Sequence, residues 1–339
     1  MKRDAWPNIA VLGAGAVGCY FGGLLARAGA PVTLIGRAQH VEAINREGLF
    51  LDTLEFQESV AVKASTEVSA AQSADLVLLC VKALDTEYSA KALGTVVAPE
   101  TLILSCQNGV NNVERIRSVT HLRAIPAVTY VAAAMSGPGR VRHSGHGSFV
   151  IGNLLSRALQ NSINATVACT LKSKNSTTAD EEPKHQLEEV AILFRQAGIG
   201  CRISNNVEGE LWEKMIINCA YNAISALGCS KYAVIGEHAP TREVMRLAVL
   251  ETIAVAQADG VRLPEGDLVK STLDLAQTMM NATSSTAQDI ARGKRTEIDF
   301  LNGYIVRRGG ELGIPVPINQ TLHALVKLLE ENSCGVQEA

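Results

Sequence analysis

Lys214, Asn218 and Asn222 follow one another at four-residue steps in Leu211-Trp-Glu-Lys214-Met-Ile-Ile-Asn218-Cys-Ala-Tyr-Asn222, so a helix presents all three on one face. Met215, Ile216, Ile217, Cys219, Ala220, Ala223 and Ile224 surround them. A helix that is apolar nearly all round belongs in an interior, where an ammonium and two carboxamides need partners. Two readings stand: a polar seam facing solvent, or a cleft in which the amine donates a proton while the amides bind the oxygens of a small acid. A free lysine has a pKa of about 10.4, and an apolar cleft lowers it toward values useful for proton transfer. Lys214 is therefore the candidate general acid.

A second chemistry is written near the start. In Asn8-Ile-Ala-Val-Leu-Gly13-Ala14-Gly15-Ala16-Val17-Gly18, a G-x-G-x-x-G pattern follows an apolar strand and opens a helix reaching to about Ala28. Such glycines permit a tight turn, close approach of backbone to a pyrophosphate and close helix-to-strand packing, with the phosphates at the helix N-terminus. The next strand, Val32 to Ile35, ends in Gly36-Arg37, where an NAD-binding protein usually offers a carboxylate to the ribose. A guanidinium suits a 2'-phosphate, which favours NADP(H), although an arginine here also reads as an ordinary solvated side chain. Lys82 reads either as a surface charge or, leaving an apolar strand directly, as a side chain placed to meet an anion of cofactor or substrate. Asn108, before Gly109, is either turn chemistry or a ligand for the nicotinamide ribose or a substrate oxygen.

The third candidate region is Ser284-Ser285-Thr-Ala-Gln-Asp289, followed by Gly293 and by Glu297-Ile-Asp299. Gly293 interrupts the helical pattern, so two helix ends can bring Ser285 and Glu297 together there. Either serine also serves as a helix cap, and Glu297 and Asp299 as first-turn carboxylates.

The elements that must position these residues follow from the apolar pattern. Ile9–Leu12, Val32–Ile35, Leu76–Val81, Leu102–Leu104 and Ile125–Tyr130 are short apolar runs separated by helical stretches, the pattern of a parallel sheet covered on both faces. Arg140 to Ile151, with Gly145 and Gly147 at its centre, reads as a hairpin added at the sheet's edge. The polar stretch of about 160–184 reads as a surface insertion. A helix over Gln186–Ala197 and a strand over Ile199–Ile203 return the chain to the first domain. Beyond it, helical periodicity dominates at 207–227, 240–259, 266–281, 296–312 and 318–331. The expected architecture is an α/β Rossmann-type N-terminal domain over 1–204 and a mainly α-helical C-terminal domain over 205–339.

A length of 339 residues accommodates two domains, and Lys+Arg 31 against Asp+Glu 34 leaves a formal charge of -3, with no overall electrostatic footprint for nucleic acid or an anionic membrane. No apolar run approaches a membrane span. The 8 cysteines form no C-x-x-C pair, and His143 with His146 has no second ligand pair, so no metal site is expected. Scattered apolar cysteines point to a reducing, cytoplasmic compartment. Lys2 and Arg3 before an apolar stretch ending in Ala26-Arg27-Ala28 imitate a secretion signal, but Gly13, Gly15, Gly18, Gly22 and Gly23 are too many for a continuous apolar helix.

Taken together, Gly13-Ala-Gly15-Ala-Val-Gly18, Lys82-Ala, Asn108-Gly109, Leu211-Trp-x-Lys214 with Asn218 and Asn222, Ser284-Ser285 and Thr296-Glu297-Ile-Asp299 resemble, in the same order, the ketopantoate reductase (2-dehydropantoate 2-reductase) family. The resemblance implies NADPH and a branched 2-oxo acid meeting in the cleft between a Rossmann and a helical domain. It implies Lys214 as proton donor and Asn108, Asn218, Asn222 and Ser285 as substrate ligands. Arg37, Lys82, Asn108, the backbone near Ala132 and Glu297 would contact the cofactor, Glu297 also reaching the substrate hydroxyl. A homodimer through the helical domain is implied in the same way. Where many relatives carry Asn three places before the substrate-binding Ser, this chain has Ala282, with Asn281 one place earlier. Two rival readings remain: an NADP-dependent reductase of another 2-oxo acid, and a non-catalytic NADP(H) sensor that needs no proton donor.

Overall fold

The computed structural model describes residues 6–154 and 181–335. Its first compact unit comprises residues up to Gln107 together with Asn111–Val207, and its second comprises Asn108–Val110 and the chain from Glu208 onward. Asn108 thus groups with the second unit although it follows a strand of the first.

The first unit is a mixed sheet with strand order β4-β3-β9-β8-β7-β6-β1-β2-β5, and β10 pairs with β9. The strands are β1 (Ile9–Leu12), β2 (Val32–Ile35), β3 (Leu49–Asp52), β4 (Gln57–Val60), β5 (Lys63–Ser65), β6 (Leu76–Leu79), β7 (Leu102–Ser105), β8 (Arg123–Gly137), β9 (Arg140–Ile151) and β10 (Gly200–Ile203). Strands β5, β2, β1, β6, β7 and β8 run parallel to one another. The alternation of side chains in a strand sorts them onto two cores. Ile9, Val11, Leu76, Leu78, Leu102 and Leu104 lie in one core, with Phe21, Leu24 and Leu25 of α1 (Ala16–Arg27) and Val190 and Phe194 of α5 (Glu181–Gln196). Ala10, Leu12, Val77, Leu79 and Ile103 lie in the other, with Leu93 of α3 (Thr86–Gly94) and Ile116 of α4 (Asn112–Val119). Helix α2 (Ala38–Glu47) follows β2. Burying both faces is why these strands read as unbroken apolar runs.

Two expectations need correction. Arg140 to Ile151 is one strand, not a hairpin: it pairs antiparallel with β8, the reversal lies at Pro138-Gly139, and Gly139 takes φ +64. Gly145 and His146 instead sit among the register shifts of that ladder. Nor is this strand at the edge, because β3 and β10 pair along its far side. An alternating segment with internal glycines fits a bulged strand as well as a turn, and the Pro-Gly pair was the stronger turn signal. Of the stretch 160–184, the part up to residue 180 lies outside the described residues, and 181–184 already belong to α5.

The second unit is helical: α6 (Val207–Leu227), α7 (Tyr232–Glu237), α8 (Ala239–Ala258), α9 (Leu268–Thr278), α10 (Ser285–Ala291), α11 (Asn302–Leu312) and α12 (Pro317–Gly335). Helix α6 feeds three cores at once, with Ile216 and Tyr221 in one, Trp212, Met215 and Cys219 in a second, and Ala223 in a third. Nearly every side of it is covered, so a polar residue on it must face a built surface. Among the described residues no helix is long and apolar enough to cross a membrane.

Candidate functional site

The glycine loop is built by close packing. Gly13 takes φ +108, and a Cβ there would lie 2.5 Å from the Cys80 carbonyl carbon, so both the conformation and the space demand glycine. A Cβ on Gly18 would stand 2.2 Å from the Gly13 oxygen, whereas one on Gly15 would meet nothing within 4 Å. Helix α1 begins after Gly15 with no side-chain cap and no acidic residue in its first turn. Its first amides, on Ala16, Val17 and Gly18, have no acceptor within the helix, and they lie at the positive end of its dipole. Open space over Gly15 beside such donors fits a dinucleotide pyrophosphate.

The neighbouring loops are tied to this turn. The Gly13 and Ala14 N–H groups both donate to the Ile35 carbonyl, each at 2.9 Å, and a Cβ on Gly36 would come within 2.6 Å of the Ala14 Cβ. Arg37, the next residue, is exposed and occupies the N-cap position of α2. No carboxylate stands there. Half-buried Lys82 follows the Cys80-Val81 backbone on which Gly13 packs. Ala132 lies in β8 at a register shift, its carbonyl accepting from the Ser144 hydroxyl at 3.2 Å. His143 stacks on Tyr20 with ring centroids 4.4 Å apart and its Nε2 faces the His146 carbonyl.

Past β7, a buried amide sets the next turn. Gln107 Nε2 donates to Thr86 Oγ1 at 2.7 Å and its Oε1 accepts from Ser105 at 3.1 Å. The adjacent Asn108 then sends Nδ2 to Glu297 Oε2 at 3.0 Å, across 189 positions of chain.

On α6, Lys214 and Asn218 are half-buried and Asn222 is only 2% exposed. Asn222 Nδ2 reaches Ser285 Oγ at 3.5 Å, the limit of a hydrogen bond. The two serines divide the work that sequence left open. Ser284 is the cap of α10: its hydroxyl accepts from the Ala287 N–H at 3.0 Å and donates to the Asn222 carbonyl at 3.1 Å. Ser285 is exposed beside Asn222. Asn281 is exposed and accepts from Lys231 Nζ at 3.3 Å. Cys219, between the two asparagines in sequence, is fully buried, and desolvation pushes its thiol up to about 12, which removes it as a nucleophile.

Glu297 is 9% exposed and sits in a turn held by side chains that sequence reasoning passed over. On one side of it, the Thr296 N–H donates to Glu330 Oε1 at 2.7 Å, and the Thr296 hydroxyl donates to the same oxygen. On the other, Asp299 accepts from Lys327 Nζ at 3.0 Å and faces His323 Nε2 at 2.7 Å. Lys327 also reaches Glu330 Oε2 at 2.9 Å. Burial alone would raise the Asp299 carboxyl, but hydrogen bonds from His323 and Lys327 hold it below its usual 3.8. The signal was available: His323, Lys327 and Glu330 share one face of a single helix. Among the described residues no group of three or more His, Cys, Asp or Glu side chains could hold a metal ion.

Residues 9–156 match the family model described as ketopantoate reductase PanE/ApbA, and residues 206–330 match its C-terminal counterpart. The chain belongs to the ketopantoate reductase family. It is an oxidoreductase of the class acting on CH–OH groups. A curated 2-dehydropantoate 2-reductase of Pyrococcus horikoshii is 34% identical over 97% of this chain and 99% of its own. The crystal structure of a PanE/ApbA family ketopantoate reductase from Ralstonia eutropha JMP134 is 46% identical, with TM-score 0.83 over 96% of this chain and 99% of that one. A 2-dehydropantoate 2-reductase structure from Geobacter metallireducens GS-15 is 28% identical, with TM-score 0.81 over 95% and 99%. These alignments span both the Rossmann-like unit and the helical unit of the family fold.

Proposed function

We propose that this member of the ketopantoate reductase family uses NADPH to convert ketopantoate to pantoate. The supporting observation is the pairing of polar residues from distant chain positions: Asn222 with Ser285, and Asn108 with Glu297, in the unit whose central helix carries Lys214. Residues 1–204 are assigned mainly to cofactor binding and 205–339 mainly to substrate and catalysis, with Asn108 and Glu297 serving both.

The first-turn amides of α1, with Gly13, Ala14, Gly15, Ala16, Val17 and Gly18, take the pyrophosphate. Arg37 takes the 2'-phosphate through charge-assisted hydrogen bonds. Lys82, Asn108, the backbone near Ala132 and Glu297 hold the remainder. When bound, NADPH supplies a hydride from its nicotinamide ring to carbon 2 of the oxo acid.

The protein's share is orientation and charge. Asn218, Asn222 and Ser285 hold the oxygens of the oxo acid, and Asn108 and Glu297 fix the carbonyl and the hydroxyl ends. Lys214 donates a hydrogen bond to the 2-oxo oxygen and passes its proton to the alkoxide that forms there. An ammonium beside an oxygen that gains charge stabilises the transition state more than the ground state.

The test is reduction of ketopantoate with NADPH deuterated at C4, run beside a panel of other 2-oxo acids. The expected product is pantoate carrying deuterium at carbon 2, with ketopantoate the preferred substrate. Tight NADPH binding with no oxidation across the panel overturns the enzymatic reading, and a stronger preference for another oxo acid overturns the substrate.

A further inference from the structure

The turn that carries Glu297 is clamped from outside the active residues. Thr296, one residue before it, gives both its N–H and its hydroxyl to Glu330. Asp299, two residues after it, is held by His323 and Lys327. Lys327 joins the halves by bridging Asp299 and Glu330. The three clamping residues all come from α12, and Thr296 and Glu330 are buried.

A clamp of this kind is a costly way to attach a helix, because the Glu330 carboxylate is buried, and Asp299 and Lys327 half-buried, where apolar contacts would serve. What ionic groups add is direction: each oxygen of Glu330 has a fixed partner, so the backbone at 296 is set in position as well as in contact. The Thr296 hydroxyl extends this order inward, since it also accepts from the Ile298 N–H at 3.2 Å. Residues 296 and 298 are thereby pinned to one another with 297 between them. The Glu297 carboxylate leaves this pinned turn to meet Asn108.

We infer that Glu330, acting through Thr296, is a positioning residue that sets the Glu297 carboxylate for substrate and cofactor. The inference rests on the proposed role of Glu297. It makes α12 part of the catalytic apparatus although none of its residues touches the reacting atoms. A carboxylate displaced by about 1 Å costs up to about a hundredfold in rate, so a clamp more than thirty positions away in sequence controls turnover.

The experiment compares Glu330→Gln, Thr296→Val, Thr296→Ser and Glu297→Gln, and the double variant carrying Glu330→Gln with Glu297→Gln. Readouts are kcat and KM for ketopantoate, the Kd for NADPH by fluorescence, and the thermal midpoint. Glu330→Gln and Thr296→Val are expected to lower kcat/KM by about tenfold with the midpoint nearly kept, and Thr296→Ser to restore it, because only the serine keeps the hydroxyl. In the Glu297→Gln background, Glu330→Gln is expected to have no further effect. Equal losses in both backgrounds, or full activity in folded Glu330→Gln, overturn the inference. If Glu330→Gln does not fold, the valine and serine pair at 296 decides alone, valine activity equal to serine activity overturning it. If Glu297→Gln matches the parent in activity and NADPH binding, the assigned role of Glu297 fails and takes the inference with it. If Glu297→Gln is impaired while Glu330→Gln is not, only the inference fails.

Discussion

The glycine loop and the polar pairs of the helical unit, proposed above to hold cofactor and substrate, are built by opposite means. The loop uses backbone. Gly13 to Gly18 are contiguous, their donors are main-chain amides, and the selection at Gly13 and Gly18 is steric. The helical unit uses side chains paired across the chain, Asn108 with Glu297 and Asn222 with Ser285, and Glu330 holds Thr296 next to Glu297. A backbone cradle is specified by residues that must be small. A side-chain site is specified by residues that must be polar and by the packing that aims them. The first kind fails through steric overlap, the second through loss of a particular group or its support.

The comparison is sharpest at Lys214. Lys214→Ala is expected to lower kcat by about a thousandfold, within the range for a general acid, with the NADPH Kd roughly kept. Steady-state NADPH oxidation with fluorescence titration measures both, and parallel losses in rate and cofactor affinity would erase the division of labour between the regions.

Steric selection in the loop predicts that two glycines two positions apart differ. Gly13→Ala, at φ +108 and against the Cys80 backbone, should destabilise the fold by about 3 kcal/mol. Gly15→Ala, with nothing near its Cβ, should stay within about 0.5 kcal/mol yet weaken NADPH, because the methyl enters the space assigned to the pyrophosphate. Urea melts and NADPH titrations check the pair, and similar stability losses at both would refute the steric account.

Arg37→Ala should weaken NADPH by about tenfold or more, the worth of a charge-assisted hydrogen bond, and NADH much less. Equal losses for the two cofactors, measured by titration, would remove the 2'-phosphate assignment.

A smaller effect separates the serines. Ser284→Ala removes a cap and should cost about 1 kcal/mol, whereas Ser285→Ala should leave stability intact and raise the KM for ketopantoate. The reverse order in thermal melts and kinetics would exchange their roles.

Smallest is the pH response of the α12 clamp. Asp299 is held below 3.8 in the fold, so its contribution is present above that pH and is lost as pH falls through its folded value. Lys327 is raised above 10.5: burial alone would lower it, but Glu330 and Asp299 reverse this, so its share is lost as pH rises through the folded value. Thermal midpoints of Asp299→Asn and the parent, measured against pH, should converge as pH falls through the folded value of Asp299, and a difference between them that does not change with pH would show that the clamp carries no such linkage.

Legibility in the sequence follows the same line. Strands Ile9–Leu12 and Val32–Ile35 and helix Val207–Leu227 have the bounds that apolar periodicity predicts, because burial on every side leaves a continuous signature. Strands β3, β4 and β5 escaped notice, being short and, in β4, largely exposed. Gly145 and Gly147 do not mark the reversal, because glycines at bulges and at turns look alike in one dimension. Asn108 was open between turn chemistry and ligand binding, and its bond to Glu297 decides that the side chain has a distant partner. No local rule distinguishes Ser284 from Ser285, since both are good caps.

By itself the sequence determined the glycine turn, the missing carboxylate at Arg37 and the polar stripe on α6, because steric permissiveness, residue type and helical period act between neighbours in the chain. Tertiary structure alone decided which serine caps, that Asn108 meets Glu297, and that the last helix grips the turn carrying that carboxylate. Those outcomes depend on hydrogen bonds only 2.5–3.5 Å long, and such distances between residues far apart in sequence exist only once the helices have packed.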